Sequence, residues 1–301
     1  MKDFKNKNCF ITGAASGIGR SFALKLAKEG MNLFITDIDT VGLEQVKKEI
    51  EQPGTIVHLM KCDVSKLNDI ENAANSFYTK LGDVDLLINN AGIGLADTLA
   101  DMNIENWKRV IDVNLWSVIY SLKVFLPRML ERKSGHIVNV ASGAGLFGSS
   151  EPLPYITTKF AVVGLSEGIF ARLKSFDINV SVIVPAFIRT NIFHTGLKNM
   201  DYNPKLLKDH GKVKLDEVYT SAMDNLMNTA MSPDVAVRKY IRQIKKNQLY
   251  IFDSQSTKDI IALKGKNMKE YEEFLHNYQN LQTISMREHF KEYGINFDDY
   301  F

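Results

Sequence analysis

Cysteine is almost missing from this 301-residue chain: Cys9 and Cys62 are the only two, each inside an apolar stretch. Neither a disulfide framework nor a paired metal-ligand spacing can be built from them, so both read as buried thiols and no metal site is expected. An excess of charge of one sign is missing too. The 37 basic and 35 acidic side chains leave a formal net charge of +2, which excludes a bulk electrostatic reason for binding nucleic acid or a membrane surface. Long uncharged apolar runs are absent: the most apolar stretch, 110–126, is interrupted by Asp112, Asn114 and Lys123. The start, Met1 to Lys7, lacks the apolar segment of a secretory signal. These absences predict a cytoplasmic protein without integral membrane association, acting on a neutral or mildly anionic small molecule. Internal repeats and low-complexity tracts are missing as well.

What is present is ordinary globular composition, 45% apolar and 24% charged, with a regular alternation of patterns. Short apolar runs rich in β-branched residues fall near 8–12, 32–36, 55–60, 84–89, 136–141, 178–184 and 248–252 and predict buried strands. Segments with helical spacing lie between them, at 17–29, 42–51, 66–80, about 103–131, 154–175 and 233–246. The alternation predicts an α/β fold, a mostly parallel sheet covered on both faces. Ser232-Pro233-Asp234 marks the start of the last helix before the last strand, with a capping hydroxyl, proline at the first position and a carboxylate in the first turn. Residues 190–231 have no strand-like run and contain Met200, Met223, Met227 and Met231, which reads as an inserted helical lid.

The first strand runs into Thr12-Gly13-Ala14-Ala15-Ser16-Gly17-Ile18-Gly19, and helical composition follows from Arg20. Glycines allow a tight turn and close approach of backbone to a pyrophosphate, while a helix N-terminus presents free N–H groups and a positive dipole end. An ordinary glycine-rich turn would look the same in isolation. The second strand ends at Asp37, about 20 residues beyond the loop, where a carboxylate can accept bonds from ribose hydroxyls and would repel a 2'-phosphate. Ala15 and Ile38 offer no basic partner for such a phosphate, so NAD(H) is expected over NADP(H). A turn or capping aspartate is the bland alternative for Asp37.

Thirteen residues after Ser142 come Tyr155-Ile156-Thr157-Thr158-Lys159. Tyrosine and lysine four apart share one helical face. A free phenol, with pKa near ~10, is a poor base at neutral pH, but a nearby ammonium and a cationic nicotinamide ring would favour the phenolate. Tyr155 can then exchange a proton with a substrate oxygen while hydride moves to or from the cofactor. Ser142, at the end of the strand from His136, would place its hydroxyl beside that oxygen. Asn114 sits inside a helical segment, where its amide costs propensity, so a hydrogen-bonding role is expected. A tyrosine–lysine pair alone is more often structural.

Taken in order, these residues resemble the short-chain dehydrogenase/reductase family over roughly residues 5–253. Thr12 to Gly19 resembles its TGxxxGxG loop, Asp63-Val64 its adenine-side aspartate pair, and Asn89-Asn90-Ala91-Gly92 its NNAG element. Asn114, Ser142, Tyr155 and Lys159 take the places of its catalytic tetrad. The resemblance implies a Rossmann-type doubly wound sheet of seven strands in order 3-2-1-4-5-6-7, and homodimers or homotetramers. It implies Tyr155 as acid/base, Lys159 lowering its pKa and holding the nicotinamide ribose, Ser142 positioning substrate and Asn114 supporting a water in a proton relay. The cofactor residues it implies are Gly13, Ser16, Gly17, Ile18, Gly19, Asp37, Ile38, Asp63, Val64, Asn90, Ala91, Gly92, Tyr155, Lys159, Pro185, Ile188 and Thr190. Two departures stand out: Pro185-Ala186 replaces the family's Pro-Gly, which requires Ala186 to keep a negative φ, and residues 254–301 run past the usual end.

The expected organisation is therefore a catalytic domain over 1–253, with the lid about 190–231, and a helical extension over 254–301. The expected activity is interconversion of a secondary alcohol and a ketone. Substrate choice should lie in 191–231, Ala144, Leu146, Phe147, Leu153 and Ile93 to Leu95, and the methionines suit a bulky apolar substrate, hydroxysteroid-like for instance, unless they only fill the lid. Tyr271, Phe274, Leu275, Tyr278 and Leu281 predict one side of an amphipathic tail helix, which could close the active site or extend a subunit interface and is expected to dock on its own core. The rival readings are an NADPH-dependent ketone or 3-oxoacyl-type reductase and a non-catalytic NAD(H) sensor, the latter disfavoured because all four tetrad residues are present.

Overall fold

The computed structural model describes residues 3–50, 54–95, 103–148, 152–192 and 202–301. Its centre is a seven-stranded sheet: β1 (Asn8–Thr12), β2 (Asn32–Asp37), β3 (Val57–Lys61), β4 (Leu86–Asn89), β5 (Gly135–Val140), β6 (Ile178–Val184) and β7 (Tyr250–Phe252). The order is β3-β2-β1-β4-β5-β6-β7 and every pairing is parallel. Parallel strands are covered on both faces, which is why their sequences are almost unbroken apolar runs. Alternation decides which face each side chain joins. Cys9 and Ile11, Leu33 and Ile35, Leu86 and Ile88 enter one core, whereas Phe10, Phe34 and Leu87 enter the other.

The first core is closed by helices α1 (Gly17–Lys28) and α2 (Thr40–Glu49), through Phe22, Leu26, Leu43 and Val46. The second lies under α3 (Leu67–Leu81), α5 (Ser117–Arg132) and α6 (Leu153–Leu173), with α4 (Ile104–Ile111) preceding α5; there the Phe10 ring meets Phe125 at 4.7 Å, Phe34 at 5.6 Å and Phe77 at 5.8 Å. The stretch Ile104–Arg132 is long and apolar enough to cross a membrane by length and composition. Its apolar residues Val118, Leu122, Phe125 and Met129 are buried against this second core.

The helix expected over 103–131 is interrupted. Residues Asp112–Trp116 form a π turn between α4 and α5, and such a turn is stable only where tertiary bonds reward it. The helix expected from 42 starts at Thr40, because the Asp39 carboxylate accepts the Gly42 N–H at 2.9 Å and caps it two residues earlier. As read from Ser232-Pro233-Asp234, a helix runs from Pro233 to Ile244 with Ser232 as its cap.

Between β6 and that helix lie α7 (Pro204–His210) and α8 (Lys212–Asn228), and the helix Pro233–Ile244 is α9. The lid segment is closed at its base by a two-bond bridge, Arg189 N–H to Met231 O at 2.9 Å and Met231 N–H to Phe187 O at 3.0 Å. Met200 and its neighbours, 193–201, lie outside the described residues. The tail is two helices rather than one, α10 (Gln255–Lys266) and α11 (Met268–Glu292), with Asn267 capping the second. Tyr271 is buried, but Leu281 is 65% exposed, so Leu281 does not belong to the packed side. Nor does the far end of the tail dock on the sheet. Phe290 and Ile295 are buried with Tyr202, Leu206, Leu215 and Val218 in a third core shared with the lid.

Candidate active site

Between the turns after β1 and β4 the chain direction across the sheet reverses, the position at which an open parallel sheet offers a crevice at its C-terminal edge. A cleft of about 770 Å³ opens there. On one side is the turn after β1. Gly13 and Gly17 have φ of +66° and +54°, in the left-handed region that glycine enters without cost. A Cβ on Gly13 would stand 2.7 Å from the Ala91 Cα. The turn is fastened to β4: the Thr12 hydroxyl accepts the N–H groups of Asn90 and Ala91 at 3.0 and 3.1 Å, and Asn90 Nδ2 donates to the carbonyls of Thr12 and Gly13 at 3.0 and 2.9 Å. Helix α1 starts at Gly17 without a side-chain cap, leaving its N-terminal N–H groups and dipole for an anion.

Gly13, Ser16, Gly17, Ile18, Asn90, Ala91 and Gly92 all line the cleft. Gly19 is not among the lining residues; a Cβ there would come within 2.1 Å of the Gly13 carbonyl oxygen, so its missing side chain lets α1 close on the turn. The Asp37 carboxylate, at the end of β2, accepts the N–H groups of Ala15 and Asp39, both at 3.0 Å, and lines the cleft beside Ile38. Asp63 and Val64 line it as well. Asp63 accepts the Ser65 hydroxyl at 2.6 Å and pairs with Lys66 at 3.1 Å. Burial alone would raise its pKa, but these partners outweigh burial and hold it below the usual carboxylate range.

The reactive side of the cleft is built by β5, α6 and the turn after β6. Ser142 follows β5, accepts the Ala144 N–H at 3.2 Å, and is tied across by Gly143 N–H to Pro185 O at 2.8 Å. Tyr155 and Lys159 share one face of α6 and the same cleft wall. Lys159 Nζ donates to the Val140 carbonyl at 3.0 Å and lies 5.4 Å from the centre of the Tyr155 ring. It is 3% exposed, and burial lowers its pKa to about 8. Pro185, Ile188 and Thr190 complete the wall. Ala186 is not among the residues with positive φ; its N–H donates to Asp253 at 3.0 Å, and Asp253 in turn accepts the Tyr240 hydroxyl.

Asn114 stands behind the wall. Its Oδ1 accepts the Ile93 N–H at 2.8 Å, and its Nδ2 donates to the Ile93 carbonyl at 2.9 Å and the Thr158 hydroxyl at 3.2 Å. The π turn places this amide between the turn after β4 and helix α6. Both Nδ2 protons and one Oδ1 lone pair are taken up there. A second buried chain runs beneath it: Asn89 donates to Asn139 at 2.8 Å, Asn139 to Ser166 at 3.0 Å, and Ser166 to the Val162 carbonyl at 2.7 Å. Asn139 and Ser166 escaped the sequence reading; a polar residue in the middle of an apolar strand was the available signal.

Of the residues expected to select substrate, Ile93 lines the cleft, whereas Leu95, Ala144, Leu146, Phe147 and Leu153 do not. Leu95 is buried in packing, and Leu153 points outward at 41% exposure. Phe147 faces the tail, 6.3 Å from the Phe274 ring. Met227, Phe187 and Ile192 also line the cleft. Sequence reading also missed Cys62, Ser65 and a charged set on α4 and the π turn, Glu105, Lys108, Arg109 and Asp112. No helical pattern says which exposed face will overlook a cleft. Among the described residues no cluster could hold a metal ion. The glycine turn open to an anion, the carboxylate at the end of β2 and the elongated cleft fit a dinucleotide.

The comparisons with known proteins agree with this geometry. The family model described as short chain dehydrogenase matches residues 7–201. The CLA biosynthesis dehydrogenase/reductase of Lactiplantibacillus plantarum is 38% identical over 198 residues, 65% of this chain and 69% of that protein. Epidermal retinol dehydrogenase 2 of Mus musculus is 30% identical over 268 residues, 88% of this chain and 79% of its own length. Among solved structures, a short chain dehydrogenase/reductase from Burkholderia phymatum in complex with NAD superposes with a TM-score of 0.78 at 28% identity, covering 89% of this chain and 96% of that one. Sheet order, cleft and sequence likeness together place this chain in the short-chain dehydrogenase/reductase family, whose members are oxidoreductases built on a nicotinamide-nucleotide-binding fold.

Proposed function

We propose that this protein is an NAD(H)-dependent oxidoreductase that interconverts a secondary alcohol and a ketone, with an apolar substrate and Tyr155 as its acid/base. The observation that carries the reading is the buried Lys159 ammonium 5.4 Å from the Tyr155 ring, on the wall that Ser142 and the glycine turn also line. A cofactor nicotinamide, when bound, would supply or accept the hydride. Lys159, protonated at neutral pH, favours the phenolate over the phenol and so brings Tyr155 nearer the operating pH. In reduction, the Tyr155 hydroxyl gives its proton to the carbonyl oxygen; in oxidation, its phenolate takes the alcohol proton. The Ser142 hydroxyl donates to the same oxygen and steadies charge developing on it. Asn114 locks Ile93 and, through Thr158, helix α6, which keeps Tyr155 and Lys159 in register with the turn after β4.

NAD(H) is supported by Asp37, whose carboxylate is held at the cleft by two backbone N–H groups and would repel a 2'-phosphate. Asp63 and Val64 serve the adenine, Gly13 to Ile18 and Asn90 to Gly92 the pyrophosphate and riboses, and Pro185, Ile188 and Thr190 the nicotinamide. An apolar substrate is supported by Ile93, Phe187, Ile192 and Met227. Exposed Trp116, stacked on Tyr120 at 5.6 Å, and exposed Phe160 support a homodimer or homotetramer. Residues 1–253 act as the catalytic domain and 254–301 as an extension.

Tyr155→Phe is expected to lower NADH-dependent ketone reduction by about 10²–10⁴-fold while leaving the NADH Kd, read by fluorescence titration, unchanged; loss of binding in step with turnover would remove Tyr155 from the acid/base role. Asp37→Ala is expected to weaken NADH about 10- to 100-fold, the scale of a lost charge-assisted pair, with little effect on NADPH. An unchanged ratio of the two Kd values would count against NAD selection by Asp37.

The buried Lys159 predicts a stability cost. Below pH 8 it is charged in both folded and unfolded chains, and the desolvation cost is fully present. As pH rises from about 8 towards the ordinary 10.5, the folded protein releases its proton first and the cost is relieved. Lys159→Met should therefore stabilise the cofactor-free protein at pH 7 by about 1–3 kcal/mol, abolish turnover, and lose its stability advantage by pH 10. Denaturant melts at the two pH values check this, and a destabilised variant at pH 7 would contradict it.

A further inference from the structure

The tail packs behind the Ser142 loop at one end and against the lid helices at the other. Helix α11 has 25 residues and so spans about 37 Å at ~1.5 Å per residue. Near its start, Phe274 packs edge-on against Phe147 at 6.3 Å, and a Leu275 methyl lies 3.7 Å from where a Gly148 Cβ would be. One helix earlier, Lys264 Nζ donates to the Leu146 carbonyl at 3.0 Å. Phe147 also abuts Gly143, the residue after Ser142, at 3.6 Å from that Cβ position. The loop carrying Ser142 is thus backed by the tail.

At its far end α11 builds the third core. Phe290 is fully buried there among Leu206, Leu215 and Val218 of the lid, and no strand of the sheet contributes. Polar bonds bind the same pair: His289 Nε2 donates to the Val218 carbonyl at 2.9 Å, Asn203 Nδ2 to the Tyr300 carbonyl at 3.0 Å, and Lys205 Nζ to the Asp299 carbonyl at 3.2 Å. Lid helix α8 then delivers Met227 to the cleft, and the chain closes on Phe187 through Met231. A lid resting on the sheet would be positioned by the nucleotide-binding core. This one rests on the tail.

We propose that the C-terminal extension is part of the substrate site: α11 couples the Ser142 loop to the lid, and Phe274, Leu275 and Phe290 determine which ketones are accepted without touching cofactor. The substrate class that needs such a wall is a bulky apolar ketone or alcohol, since a small one would not reach the lid. This rests on the proposed oxidoreductase reading, and the experiment separates the two.

Phe290→Ala, made in the full-length chain, removes packing far from the reacting atoms. We expect KM for a tricyclic ketone to rise about tenfold or more, equivalent to ~1.4 kcal/mol, with butanone turnover and the NADH Kd changed by less than about twofold. Hydrogen exchange should quicken both in 202–228 and at the distant loop 142–148. Equal losses on both ketones, or faster exchange confined to 202–228, would reduce the tail to a stabilising appendage and overturn the proposal. If the wild-type protein reduces no ketone, the oxidoreductase reading fails, and exchange at 142–148 in Phe290→Ala still decides the coupling. If Phe290→Ala does not fold, Leu275→Ala supplies the reciprocal test: exchange must quicken in 202–228, and unchanged exchange there refutes the coupling.

Discussion

A Cβ on Gly13 would stand 2.7 Å from the Cα of Ala91, so the turn after β1 can lie against the turn after β4 only because that position carries no side chain. Close approach would strand backbone donors and acceptors away from water, at a cost of about 1–3 kcal/mol each. Thr12 and Asn90 satisfy them across the gap with four bonds. Once these two turns are fixed, the start of α1, the end of β2 and the segment through Gly92 surround one crevice. Ile93, the next residue, is where Asn114 takes hold. The cleft is thus a consequence of one steric constraint and the bonds that make it tolerable.

From Ile93 the constraint passes into the reactive side. Asn114 joins the turn after β4 to Thr158, Thr158 bonds back to the Tyr155 carbonyl at 2.8 Å, and Lys159 reaches across to Val140 at the end of β5. The Asn114 and Lys159 bonds cross between elements that apolar packing alone would leave free to slide, and the Thr158 bond stays within α6. The same arrangement buries an ammonium whose desolvation lowers its pKa to about 8. A methionine there would bury no charge, so the ammonium costs stability that an uncharged side chain would not.

Much of this was legible in the sequence because it is local. The glycine turn, the aspartate ending β2 and the tyrosine–lysine pair each depend on a few adjacent residues, and strand alternation sorts side chains onto two faces without reference to anything distant. Asn114 was legible as an anomaly, a costly amide in a helix, but its π turn was not, since that register is set by Ile93 and Thr158. Gly19 fitted the glycine pattern, but its part in helix packing shows only in the 2.1 Å approach to Gly13. The charged wall formed by Glu105, Lys108, Arg109 and Asp112 looked like any solvated helix face. Leu281 matched the helical stripe of the tail, yet the stripe turns away from packing before reaching it.

The tail and lid show the limit most clearly, because residues 202–218 and 290–295 meet across more than seventy positions of chain and neither segment announces the other. Periodicity says that a helix has an apolar face; it does not say what covers that face. Here the cover for the lid is the tail, and the sheet is left with the cofactor end alone. That division is physically reasonable. A dinucleotide is constant and suits a crevice fixed by backbone bonds at the strand ends, whereas a substrate varies and suits walls carried on helices that can be repacked without disturbing Gly13, Thr12 or Asn90. The lid is joined to the strand side by the bridge from Met231 to Phe187. It leaves α8 tied to the core just beyond its C-terminal end, near Met227, and to the tail through Leu215, Val218 and Tyr219.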